Sequence, residues 1–114
     1  MCGLLTFISA HHDAPAHRES IAAALESLHH RGPDETGVEL VGADAIIAHK
    51  RLAIIDVAHS QEPLPYLDGR YQLIFNGEIY NYIELREQLA AEFGAQFHTQ
   101  GDGEAIVAGF HYWG

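Results

Sequence analysis

MCGLLTFIS (Met1–Ser9) decides how the rest of the chain is read. Leu4–Ser9 is short, apolar and bounded by polar residues, which is the pattern of a buried strand. Just ahead of it stands the chain's only cysteine, at position 2, followed by glycine. A thiol so close to the chain start has two readings. One is an inert, buried apolar side chain. The other is a nucleophile that carries its own base: with Met1 trimmed, sulfur and α-amine share one residue. The reference pKa of an α-amine, roughly 7.7–8.0, leaves a useful neutral fraction at physiological pH. Gly3 would let backbone approach closely and uncover the sulfur.

The remaining bulk properties narrow the field. A chain of 114 residues is one domain, and 47% hydrophobic residues are enough for a packed core. Sixteen acids against six bases give a net charge of −10. That disfavours nucleic acid and anionic membranes, since both need a cationic surface. No apolar run approaches the ~18 residues of a membrane span. No basic segment precedes Leu4–Ile8, so the start is not a secretory signal. A single cysteine forms no intramolecular disulfide, which fits a reducing cytoplasm.

Periodicity lays out the other elements. His17–His29 reads as a helix with Ile21, Leu25 and Leu28 on one face, stopped by the loop RGPDETG (Arg31–Gly37). Val38–Val41 and Ala45–His49 read as strands joined by the turn Gly-Ala-Asp, and RLAIID continues as extended chain to Asp56. VAHSQEPLPYLDG, with two prolines, reads as a long surface loop. YQLIF (Tyr71–Phe75) reads as a strand that ends in NGE. A second helix is expected over Asn81–Phe93, with Gly94 as its stop, followed by a short strand at QFHT. A third helix opens at Asp102, an N-cap candidate, with Ile106, Phe110 and Trp113 sharing a face. The chain ends just after this aromatic helix, as a cut domain would.

Several side chains carry chemistry beside a plain structural reading. Asn76-Gly77 at the end of a strand is a favoured turn dipeptide. It also sets a side-chain amide and a backbone N–H close together, the donor pair an oxyanion needs. Arg51 would form a surface salt bridge or clamp a carboxylate with two parallel bonds. Asp102, flanked by glycines, would cap its helix, hold a substrate ammonium, or do both. The nine histidines include two adjacent pairs, His11–His12 and His29–His30. Neighbours on a helix face different ways, so no metal site is expected. GDG lacks the lysine and glycine spacing of a phosphate loop.

Taken in order, MCG, HRGPDETG (His30–Gly37), HKRLAIID (His49–Asp56), FNGEIYNY (Phe75–Tyr82) and GDGEAI (Gly101–Ile106) resemble the glutaminase domain of glutamine-dependent asparagine synthetases, a class II glutamine amidotransferase with an N-terminal nucleophile. The resemblance spans essentially the whole chain. It implies an α+β fold: part of the four-layer αββα N-terminal-nucleophile architecture, with antiparallel sheets, outer helices and later strands missing. It implies Cys2 as the nucleophile that attacks the carboxamide of L-glutamine, and Asn76 with Gly77 as the oxyanion hole. Arg51 would bind the α-carboxylate, Asp102 and Glu78 the α-ammonium, and backbone along Leu52, Ala53, Ile54 and Ile55 would line the pocket. Arg31–Gly37 resembles a mobile segment near the site. No cofactor is implied in this domain; ATP and Mg2+ belong to a synthetase domain of the same full-length chain, which is the implied partner. An incomplete sandwich would expose an apolar sheet face and invite a homodimer. The alternative function is a glutamine-binding or regulatory module without turnover, inactive through truncation or a retained Met1.

Overall fold

A computed structural model describes residues 2–52 and 61–114, and all structural statements concern these. The first sheet has three antiparallel strands in the order β1-β3-β2: β1 (Gly3–Ile8), β2 (Glu35–Val41) and β3 (Ala45–Arg51). β3 is central, and its register pairs Gly3 with Lys50 on one side and Gly37 with His49 on the other. A central strand is shielded from both edges, and Ile46, Ala48, His49, Lys50 and Arg51 are all buried. A single 3-10 turn (Ala14–His17) leads into helix α1 (Arg18–Glu26), which packs on β1 and β3. Leu25 is its fully buried residue.

The second sheet is the hairpin of β4 (Leu64–Tyr66) and β5 (Tyr71–Leu73), and helices α2 (Tyr82–Phe93) and α3 (Gly103–Trp113) complete the chain. Tyr66, Leu89, Ala95, Val107 and Ala108 form one buried cluster, flanked by Tyr71, Phe97 and Tyr112. α3 meets β4, β5 and α2 around it. Gly94 ends α2 in the left-handed conformation (φ 69°), donating its N–H to Ala90 O, a conformation that glycine adopts without strain. The α+β class and antiparallel pairing follow the expectation.

Several elements differ from the sequence reading. The segment taken as a surface loop contains β4. Leu64 and Tyr66 point inward, while Pro65 lies exposed between them, tolerated because each strand of a two-stranded sheet is an edge. β2 starts at Glu35, inside the expected loop Arg31–Gly37, because Glu35 and Thr36 pair with Arg51 and Lys50 across the sheet. QFHT is not a strand: the N–H groups of His98 and Thr99 go to the Glu104 carboxylate instead of a sheet neighbour. β5 stops at Leu73, two residues before the expected end. α1 ends at Glu26 and tightens into turns through Leu28–Leu25 and His29–Glu26 backbone bonds. The buried side of α3 carries Glu104, Ala105, Val107 and Ala108, not the expected Ile106, Phe110 and Trp113. Small residues let the helix approach β4 and β5 closely. The large rings sit at the rim, where Phe110 faces Tyr71 and Trp113 faces Phe93 edge-on.

Candidate functional site

The start of β1 and the end of β3 are neighbours in the register, which brings Cys2 beside the chain leaving Arg51. The Cys2 sulfur accepts the Leu52 N–H at 3.3 Å and lies 3.7 Å from the Leu52 carbonyl. Arg31, from the RGPD segment, donates Nε–H to the Cys2 carbonyl at 3.1 Å. The Cys2 nitrogen donates to Asn76 Oδ1 at 3.2 Å, across 74 residues of sequence. Cys2, Leu52 and Asn76 are thus in direct contact, and Gly77 follows Asn76 at the same corner. With Oδ1 committed to the Cys2 nitrogen, the Asn76 amide turns its NH2 group, a double donor, elsewhere.

Gly3 serves packing rather than exposure of the sulfur: it is buried, and a Cβ there would stand 2.9 Å from Leu28 Cβ. Arg51 is buried and pairs with Glu35, its cross-strand partner, at 2.9 Å. It is therefore not the surface salt bridge that a lone arginine suggests. Asp102 is buried at the start of α3 but makes no side-chain cap; its carboxylate accepts the Ile79 N–H at 2.8 Å. The capping role is replaced by a tie between α3 and the chain just beyond Asn76-Gly77-Glu78. Glu78 itself is exposed. Ala53, Ile54 and Ile55 lie outside the described residues.

Two groups that the sequence reading did not single out, the half-buried Glu62 and the buried His49, stand between these residues. Glu62 Oε2 accepts the Phe75 N–H at 2.7 Å and lies 3.1 Å from His49 Nε2. His49 is fully buried, and its Nε2 also meets the Phe75 carbonyl at 3.2 Å. Burial pushes the Glu62 carboxyl up from 4.5 to about 7. The Phe75 N–H and the Arg51 charge work against that rise, and the Asp102 charge adds to it. Burial likewise holds the His49 imidazole below its ordinary value, opposed by the Phe75 carbonyl and helped by Arg51. Near neutral pH the contact is therefore a hydrogen bond from a neutral imidazole rather than a full ion pair. A signal for Glu62 existed: an acid immediately ahead of the apolar run Pro63–Leu67. His49 carries no such signal: its spacing to the other histidines speaks only to metal binding, and its burial in the central strand is a tertiary fact. Among the described residues, no three His, Cys, Asp or Glu side chains are grouped to hold a metal ion. No helix among them is long and apolar enough to cross a membrane.

Comparison with known proteins gives the family. Residues 1–114 match the family described as "Glutamine amidotransferase domain". A candidate glutamine-hydrolyzing asparagine synthetase of Mycobacterium bovis is 47% identical over 127 aligned residues, covering all of this chain and 20% of that protein. Asparagine synthetase (glutamine-hydrolyzing) 1 of Bacillus subtilis is 42% identical over 118, covering 99% and 18%. The glutamine-hydrolyzing asparagine synthetase of Sandersonia aurantiaca is 42% identical over 107, covering 94% and 20%. The chain spans about a fifth of the length of these relatives. A match over its whole length, with the cysteine held against Leu52 and Asn76, makes this chain a member of the glutamine amidotransferase domain family.

Proposed function

We propose that this chain is the glutaminase part of a glutamine-dependent asparagine synthetase, releasing ammonia from L-glutamine through a thioester on Cys2. The observation that carries the reading is the contact of Cys2 with both Leu52 and Asn76, groups 50 and 74 residues away in sequence. The processed Cys2 amine, anchored on Asn76 Oδ1, takes the thiol proton. The sulfur then attacks the side-chain carbonyl carbon of glutamine. The resulting oxyanion meets the Asn76 NH2 and the Gly77 N–H. Collapse expels ammonia, which leaves with the proton held by the amine, and a γ-glutamyl thioester remains. Water, deprotonated by the same amine, attacks the thioester. A second oxyanion forms in the same corner, and glutamate departs with the thiol restored.

Substrate orientation falls to the buried Arg51 for the α-carboxylate and to Asp102 with Glu78 for the α-ammonium. Backbone at Leu52, beside the Cys2 sulfur, lines the pocket. The finer architecture is the αββα sandwich of N-terminal-nucleophile hydrolases. The ammonia passes to a synthetase domain in the same full-length chain, where ATP and Mg2+ activate aspartate. The test is ammonia release from glutamine by the full-length protein with Met1 removed. Cys2→Ala should abolish it. Asn76→Ala should lower kcat by a factor on the order of 10²–10³, as loss of one oxyanion donor does. Full glutaminase turnover by Cys2→Ala would end the proposal.

A further inference from the structure

Phe75 is the residue just before the Asn76-Gly77 corner, and both of its backbone poles are held by ionisable side chains, the half-buried Glu62 and the buried His49. Its N–H goes to Glu62 at 2.7 Å, and its carbonyl receives His49 Nε2–H at 3.2 Å. Glu62 and His49 also touch each other, at 3.1 Å. The three contacts close a ring around the backbone of one residue in the segment that follows β5. We propose that Glu62 and His49 form a positioning clamp that fixes Phe75 and thereby aims Asn76 and Gly77 at the Cys2 sulfur. The inference rests on the glutaminase reading for its catalytic consequence, though the clamp itself is a matter of geometry.

An independent feature shows that the clamp is built into the fold. Gly37 lies in β2 directly opposite His49 in β3. A Cβ on Gly37 would stand 2.0 Å from the Glu62 carbonyl oxygen. Only a residue without a side chain lets the Glu62 backbone settle over the sheet at the level of His49. The glycine that closes HRGPDETG thus serves Glu62. Neither clamp residue reaches substrate in the proposed reaction; each works through Phe75.

The clamp also carries a proton. Glu62 faces His49 and Arg51 from β3 and Asp102 from the start of α3, and Glu35 from β2 acts on His49. With its carboxyl at about 7, Glu62 changes charge in the physiological range. An ionised acceptor holds N–H donors more tightly than a neutral one. Oxyanion alignment should therefore improve as pH rises through that value, an effect on kcat rather than on substrate binding.

The experiment measures glutamine hydrolysis by the trimmed full-length protein from about pH 6 to pH 9, alongside Glu62→Gln and Glu62→Leu. Gln keeps an acceptor for both N–H groups but cannot ionise; Leu keeps neither property. The clamp predicts that Glu62→Leu lowers kcat about tenfold or more with KM within about threefold. It predicts that the wild-type to Glu62→Gln ratio of kcat rises through about pH 7. A ratio independent of pH, or a Leu variant with wild-type kcat, would overturn it. Should Glu62→Leu fail to fold, the Gln ratio decides. A second readout needs no turnover: the Phe75 amide resonance, in protein labelled with 15N-phenylalanine. It should shift through about pH 7 in wild type and stay fixed in Glu62→Gln. Identical behaviour in the two would overturn the clamp. Absence of wild-type hydrolysis beside a shifting amide would overturn the glutaminase reading and leave the clamp standing.

Discussion

Two glutamates, the buried Glu104 and the half-buried Glu62, organise two halves of this molecule in different ways. Glu104 in α3 is almost fully buried and accepts the N–H groups of His98 and Thr99 and the Thr99 hydroxyl. Arg86 completes that knot, donating to Gly101 O and Thr99 O while its guanidinium lies over the Phe97 ring. Glu62, beside the sulfur-bearing corner, has one backbone donor and one imidazole. A carboxyl that takes up several fixed donors ties those donors to its own helix and acts as structural glue. Glu62, desolvated in the fold and with the Asp102 charge adding to the rise, sits with its proton in play at about 7. The Glu104 contacts therefore hold the shape of the α2–α3 half, and under the proposed function the Glu62 contacts near Cys2 serve chemistry.

The comparison can be broken at its structural end first. Glu104→Leu strands the two buried donors of Thr99 as well as the part-buried His98 N–H, and at ~1–3 kcal/mol for each buried unsatisfied group it should destabilise the protein by about 2–6 kcal/mol in denaturant melts. A loss below about 1 kcal/mol would show that the knot is loose in solution.

The chemical end gives the next effect, and its sign depends on pH. Glu62 has its carboxyl raised in the fold, from 4.5 to about 7. The stability it contributes is whole below about 4.5 and is lost as pH rises through about 7. Glu62→Gln escapes that loss. The variant should gain on wild type by an amount on the order of 3 kcal/mol at alkaline pH, with the difference vanishing in acid. Urea midpoints measured across pH check this, and parallel curves would show that Glu62 does not hold its proton.

Gly37→Ala should cost about 2 kcal/mol through forced displacement, because its neighbour is a backbone oxygen that has little room to yield. It should also lower kcat, since Glu62 moves with its own carbonyl. Smallest of all is the exposed Gln88–Glu92 contact on α2, at 2.8 Å. Gln88→Ala should change stability by no more than about 0.5 kcal/mol, the ordinary range for surface substitutions.

Much of this was legible from residues alone, and the exceptions share a cause. β1, the β2–β3 hairpin and α2 with its glycine stop were readable because each is fixed by local periodicity and turn chemistry. The nearness of Cys2 to Asn76 was expected only through the family resemblance, since no local pattern encodes a contact across 74 residues. β4 was hidden by its prolines, whose effect depends on whether the strand is an edge. QFHT has the composition of a strand, but its N–H groups are claimed by Glu104 from the next helix. The large apolar residues of α3 suggested the wrong buried face because close packing against β4 and β5 favours alanine and valine. Glu62 and His49 became visible only when the backbone of Phe75 was seen between them.

The central claim is that the Cys2 sulfur performs the attack. The most direct measurement treats Met1-trimmed full-length protein with a diazoketone analogue of norleucine, a glutamine-like electrophile, and locates the adduct by peptide mass spectrometry. The account predicts one adduct, on Cys2, formed in step with loss of glutaminase activity and blocked by excess glutamine. Inactivation with Cys2 unmodified would contradict it.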